Sequence, residues 1–94
     1  MLSLAEINAE MSALSGWSLE GNLISKTFQF EDFKSALDFV NKIGEVAEKH
    51  SHHPDIIFNY NLVRLSLTTQ SVKSLTKIDF TVARDIDDIE NDGK

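Results

Sequence analysis

The sequence predicts an α+β fold of two layers, with antiparallel strands forming one layer and helices covering one face of it. Three observations carry that prediction. Hydrophobic periodicity switches between helical and strand spacing in the order α-β-β-α-β-β-α. Each strand pair is joined by a few residues only, Gly21-Asn22 in one case and Asn59 to Asn61 in the other, which favours hairpins and antiparallel pairing. A long central segment carries an apolar stripe at helical spacing, and such a stripe must pack against another layer.

The first element is a short helix over residues 3–15. Ser3 is placed to cap it and Glu6, three positions on, to complete a capping box. Leu4, Ile7, Met11 and Leu14 recur at helical spacing, and Gly16 ends the element. Residues 17–20 and 23–30 read as a hairpin around Gly21-Asn22, a pair expected to supply the positive φ values of a two-residue turn. Ile24, Lys26, Phe28 and Phe30 share one face of it; the lysine interrupts that face and suggests an edge.

A second helix spans about residues 32–50. Phe33, Ala36, Leu37, Val40, Ile43, Val46 and Ala47 form its buried stripe, Phe39 lies to one side, and Asp38, Asn41, Lys42 and Glu45 face water. Its apolar surface is wide enough for both a core and a subunit contact, and Gly44 weakens it slightly. Two more strands follow over residues 55–60 and 62–69, where Val63, Leu65 and Leu67 alternate with Arg64, Ser66 and Thr68. The last helix opens at Thr76-Lys77-Ile78-Asp79, with threonine as the cap and aspartate at the third helical position. Phe80, Ala83 and Ile86 point inward. From about residue 86 the chain turns acidic through Asp87, Asp88, Glu90 and Asp92, and this tail is expected to fray. With no linker and no repeat, residues 1–94 read as a single domain.

Composition narrows the function. Hydrophobic residues at 41% and charged residues at 26% are those of an ordinary globular protein. A net charge of −6 argues against a general nucleic-acid or anionic-membrane binder. There is no cysteine, which excludes disulfides, zinc-thiolate sites and thiol catalysis and suits the cytoplasm. The N-terminus lacks the basic-then-apolar pattern of a secretory signal, and no apolar run reaches the length of a membrane span.

All three histidines fall in the run Lys49-His50-Ser51-His52-His53-Pro54-Asp55, where the second helix hands over to a strand. Imidazole titrates nearest neutrality of all side chains, so the cluster is equipped for proton transfer or metal binding. The residues alone leave three readings open. The histidines can be solvated groups at a helix C-terminus, where the helix dipole favours imidazolium. They can be a metal site with Asp55, although neighbours so close in sequence rarely converge on one ion and no distant histidine completes the set. Or they can serve acid–base chemistry on a small molecule where the helix ends and the sheet begins.

Spacing favours the third reading. Glu48 and His52-His53-Pro54 form Glu-x-x-x-His-His-Pro, Tyr60 follows, and Asp79 stands near the start of the last helix. Gly16-Trp17, Glu20-Gly21, Phe28-Gln29-Phe30 with Asp32-Phe33, Ala47-Glu48-Lys49, Tyr60-Asn61 and Leu75-Thr76 accompany them. This ordered set, from about residue 16 to about residue 83, resembles the pterin-4a-carbinolamine dehydratase family. The resemblance implies a four-stranded antiparallel sheet with helices on one face, assembled as dimers or tetramers. It implies loss of water from 4a-hydroxytetrahydropterin to give quinonoid dihydropterin, as part of tetrahydrobiopterin recycling, with no metal or organic cofactor.

In that chemistry the 4a-hydroxyl needs a proton donor and a pterin ring N–H needs an acceptor, and groups titrating near neutrality serve both best. The resemblance therefore implies His52 and His53 as the catalytic pair, with His52 first, and His50 as a bystander. It implies pterin-binding roles for Glu48, Ser51, Thr68, Thr69, Gln70 and Asp79, and for Trp17 as a pocket wall. Glu48, one helical turn before His52, can orient an imidazole. Asp79 also has a purely local role as a capping-box acid, and Trp17 as ordinary core. One position departs from the family. A third histidine is expected ten residues after the aromatic, and Gln70 stands there instead. Glutamine exchanges hydrogen bonds but no proton at neutral pH. The same fold can otherwise serve as a non-catalytic pterin-binding or dimerisation module, for which the apolar helix over residues 33–47 is the natural surface.

Overall fold

The computed structural model of the protein describes residues 2–92. Its elements are α1 (Leu4–Ser12), β1 (Ser18–Glu20), β2 (Leu23–Gln29), α2 (Phe33–His50), β3 (Asp55–Asn59), β4 (Leu62–Leu67) and α3 (Lys77–Asp92), in the expected order. The strands form one four-stranded sheet ordered β1-β2-β4-β3, antiparallel at every neighbour. The two hairpins thus lie side by side, joined through β2 and β4.

Helix α1 forms because both halves of its capping box are made: Glu6 N–H donates to Ser3 Oγ at 3.2 Å and Ser3 N–H to Glu6 Oε1 at 3.0 Å. It ends before Gly16. Ala13 and Leu14 donate to carbonyls three residues back, which tightens the last turn, and Gly16 at φ 83 then redirects the chain into β1. Ile7, Met11 and Leu14 pack on the core, but Leu4, expected inward, is exposed. In the first hairpin turn only Gly21 has a positive φ, 62°, so Asn22 does not share that role. One positive φ at the first turn position is the type II′ pattern.

The inner sheet face buries Ile24, Phe28, Val63, Leu65 and Leu67 against Ala36, Phe39, Ile43 and Ala47 of α2 and Phe80, Val82, Ala83 and Ile86 of α3. Each large apolar side chain buried here contributes about 1.5–3 kcal/mol. On the outer face Thr27, Gln29 and Ile57 are exposed, so all the helices cover a single side. Lys26 is not on an edge strand, since β2 is internal. However, β1 pairs only as far as Ser25, so β2 is unpaired on that side at Lys26. The ammonium there meets Asp87 at 2.9 Å and the Ser15 carbonyl at 2.8 Å.

Two expectations are corrected in the helices. Phe39 is core, with its ring centroid 4.9 Å from those of Phe28 and Phe30. It lies between Ala36 and Ile43 at helical spacing, so α2 is rolled toward it, which leaves Phe33 and Leu37 at the exposed shoulder. Phe33 stacks there on Phe58 of β3 at 5.0 Å. The acidic tail does not fray over residues 86–92 but continues α3. Ile86 is fully buried, Ile89 packs on the core, and Asp87 binds the Trp17 indole N–H as well as Lys26. The last two residues of the expected tail, Gly93 and Lys94, lie outside the described residues.

Candidate active site

Helix α2 ends with Ser51 in the left-handed region (φ 50, ψ 41), while the His52 N–H closes back on the Ala47 carbonyl at 3.0 Å. A non-glycine residue in that conformation costs about 1–2 kcal/mol. What it accomplishes is a sharp reversal: the chain leaves the helix and runs extended through His52, His53 and buried Pro54 into β3. Successive side chains of an extended segment point to opposite sides. His52 accordingly turns inward, its side chain 13% exposed, and His53 outward at 62%.

His52 meets a carboxylate 27 residues on in sequence. Its Nε2 lies 2.5 Å from Oδ1 of Asp79 in the first turn of α3. Asp79 is fully buried, and its other oxygen accepts from Thr69 Oγ1 at 2.7 Å and from the Thr76 backbone N–H at 2.9 Å. A buried charge is tolerated when its hydrogen bonds are made and when it sits at a helix N-terminus, and Asp79 has both. The capping role open in the sequence is made by the bond from the Thr76 N–H, and the same side chain also meets His52.

Thr69 comes from the segment just after β4. A bridge between Thr69 and Ser74 closes a tight turn over residues 70–73, and Gln70 is exposed in it next to the Asp79 ligand Thr69. The site thus draws on the end of α2, the end of β4 and the start of α3.

The remaining candidate residues are not gathered there. His53 pairs with Glu48, both largely exposed, so Glu48 does hold an imidazole, but not that of His52. Thr68 donates to the Asn22 carbonyl at 2.6 Å and ties the turn to the first hairpin. Ser51 serves as the helix cap. Trp17 is core, edge-on to Phe28 with centroids 6.2 Å apart, and its N–H is held by Asp87. Asp87 lies eight residues beyond Asp79 on α3, about 12 Å along the helix axis. A cavity of about 270 Å³ between the end of β2, α2 and the end of α3 contains none of these residues.

Sequence reasoning missed two features. His50 is no bystander to the fold, since its Nε2 lies 2.6 Å from Asp85 and links α2 to α3. Thr76 belongs to the site through its backbone N–H and through a 2.8 Å hydroxyl contact with Thr69. Its cap position was the available signal. The three histidines pair with three different carboxylates, and among the described residues no three metal-capable side chains converge.

Chemically, a carboxylate behind an imidazole fixes ring orientation and tautomer and stabilises the imidazolium that forms on protonation. His52 is thereby equipped to give and take a proton through its second nitrogen, Nδ1, which has no protein partner among the described residues.

Comparison with known proteins places the chain in a family. The profile of the family described as Pterin 4 alpha carbinolamine dehydratase matches residues 1–89. A protein of Trichormus variabilis provisionally named pterin-4-alpha-carbinolamine dehydratase is 48% identical over 95% of this chain and 96% of its own length. One of Sulfurisphaera tokodaii with the same provisional name is 43% identical over 94% and 95%. The crystal structure of a transcriptional coactivator/pterin dehydratase from Brucella melitensis superposes with a TM-score of 0.89 and 36% identity, covering 94% of this chain and 96% of that one. A pterin dehydratase-like protein described as a RuBisCO assembly factor in the alpha-carboxysome shares the fold at a TM-score of 0.67 and 20% identity, over 78% and 87%. With a family profile and relatives that span nearly the whole chain, this protein belongs to the pterin 4 alpha carbinolamine dehydratase family.

Proposed function

We propose that the protein is a hydro-lyase that dehydrates 4a-hydroxytetrahydropterin to quinonoid dihydropterin, in support of tetrahydrobiopterin recycling. The observation that carries this reading is the His52–Asp79 pair, built on the Glu-x-x-x-His-His-Pro motif of a chain that matches the family almost end to end. In the reaction the bond from C4a to its hydroxyl oxygen breaks and the oxygen leaves as water with a proton from an acid. A ring N–H gives its proton to a base, and its electron pair forms the new carbon–nitrogen double bond. His52 does the principal proton transfer, with Asp79 stabilising its charged form, and His53 is the second exchangeable group. In this reading Gln70, Glu48, Ser51 and Thr68 stand at the rim of the pterin approach, outside the His52–Asp79 pair, and Trp17 serves as core away from it. No metal or organic cofactor takes part.

Gln70 stands where the resemblance expects a third histidine, and a glutamine there slows turnover. The test is the rate of 4a-hydroxytetrahydropterin dehydration with wild type, His52→Ala and Gln70→His. Wild type is expected to exceed buffer, His52→Ala to lose roughly 10²–10⁴-fold, and Gln70→His to gain. A wild-type rate equal to buffer sinks the proposal.

A second reading, a non-catalytic pterin-binding or protein-interaction module, draws on exposed apolar surface. β3 is an edge strand with Ile56 40% and Ile57 62% exposed, and Phe33 and Leu37 stand out on the shoulder of α2. An unpaired apolar edge favours association. Self-association into a dimer or tetramer follows under either reading. Light scattering that gives a monomer at micromolar concentration would remove it. We also assign the protein to the cytoplasm, because a chain without cysteine gains nothing from an oxidising compartment. No described helix is long and apolar enough to cross a membrane.

A further inference from the structure

The two oxygens of Asp79 are used unequally. Oδ1 faces the His52 ring, whereas Oδ2 accepts from Thr69 Oγ1 and from the Thr76 backbone N–H. A threonine hydroxyl has one proton to give. Thr69 directs its proton at Asp79, so in the 2.8 Å contact between the two hydroxyls the donor must be Thr76. The bonds therefore form a directed chain: Thr76 O–H donates to Thr69, and Thr69 O–H donates to Asp79. Such chains polarise and strengthen one another in a buried setting.

Direction matters for His52. With Oδ2 occupied by two donors, the carboxylate is locked in rotation about its side-chain axis, and Oδ1 is aimed at the ring. A carboxylate only accepts, so His52 Nε2 must donate. The neutral ring then carries its proton on Nε2 and its lone pair on Nδ1. Thr69 and Thr76 also flank the turn that carries Gln70, so the hydroxyl pair joins that turn to the imidazole.

We propose that Thr69, supported by Thr76, is a positioning residue that fixes His52 in the Nε2–H tautomer through Asp79 and leaves Nδ1 as the proton-exchanging nitrogen. The Thr69 hydroxyl is then engaged by Asp79, and its role in the site is to hold the carboxylate rather than to contact the pterin. The proposal rests on the dehydratase reading for the proton being moved, but the tautomer is measurable without any substrate.

The test records the ring 15N shifts of His52 in labelled wild type, Thr69→Val, Thr69→Ser and Thr76→Val, beside their dehydration rates. Wild type and Thr69→Ser should show one neutral tautomer with the proton on Nε2. Thr69→Val frees the Asp79 carboxylate to turn away from the ring, so His52 loses its fixed acceptor and should show a mixture, with a rate loss on the order of 10-fold, by analogy with the low end for partners that orient metal-bound histidines, and Thr69→Ser should restore both. Thr76→Val keeps the backbone N–H to Asp79 and should show the same changes in smaller measure; it decides the matter if Thr69→Val does not fold. A folded valine variant with the wild-type tautomer overturns the proposal. If wild type lacks dehydratase activity while Thr69→Val still mixes tautomers, the functional reading fails and the positioning role stands.

Discussion

Replacing Asp79 with asparagine changes one atom of the site and reverses one hydrogen bond. Thr69 Oγ1 and the Thr76 N–H both donate to Asp79, so the amide must turn its carbonyl oxygen toward them. Its NH₂ group then faces His52 Nε2, which must accept where it formerly donated. The ring is forced into the opposite tautomer, with the proton on Nδ1 and no lone pair left to take a proton from the pterin. The rate should fall by roughly 10²–10⁴-fold, the whole contribution of a general acid–base group.

Stability should suffer much less. The three hydrogen bonds at Asp79 become neutral ones, and each loses about 1 kcal/mol. The sum, about 3 kcal/mol, is an upper limit, because a buried amide costs less desolvation than a buried carboxylate. Domains of this kind have about 5–15 kcal/mol in hand, so the variant should fold. The assay is dehydration of 4a-hydroxytetrahydropterin followed by stopped flow, with circular dichroism melting on the same samples. A folded Asp79→Asn variant that turns over at the wild-type rate refutes the reasoning. So does a rate that falls only in proportion to the unfolded fraction.

Two other changes separate the site from its surroundings. His53→Ala removes a pair whose members are both largely exposed, so the melting free energy should move by less than about 1 kcal/mol, with a rate loss well below that of His52→Ala; an equal loss would make His53 the principal group. Backbone and side-chain hydrogen bonds from Ser3 hold the Glu6 carboxyl below its ordinary value of 4.5. A depressed carboxylate stabilises the folded state above its unfolded value, and that stability is lost as pH falls through the folded one. Acid titration of α1 helicity should therefore show a step below pH 4.5 that Glu6→Gln abolishes and that Ser3→Ala, which keeps the backbone N–H to Glu6, only reduces; a step unchanged in Glu6→Gln would contradict it.

The fold was legible because local signals agreed. Alternation through Val63, Leu65 and Leu67 gave β4, Ser3 and Glu6 gave the start of α1, and Gly21 gave the first hairpin. The site was legible as a location but not as a set of pairings. Proximity in sequence suggested that Glu48, one helical turn before His52, orients an imidazole, without saying which. The left-handed Ser51 turns the chain so that His52 meets Asp79, while Glu48 takes His53. No local pattern encodes that reversal at a serine.

The acidic end of α3 failed for a related reason. Its charges looked like a solvated tail, yet Lys26 and the Trp17 indole N–H, both distant in sequence, meet Asp87 and hold it to the sheet. The roll of α2 toward Phe39 likewise depends on Phe28 and Phe30 across the layer. In each case the missing information was a tertiary partner rather than a propensity.

The most direct test of the account is the rate at which 4a-hydroxytetrahydropterin loses water in the presence of wild type and of His52→Ala, both shown to be folded. The account predicts a wild-type rate above buffer that drops by roughly 10²–10⁴-fold in the variant. Equal rates for the two proteins, or a wild-type rate no better than buffer, would contradict it.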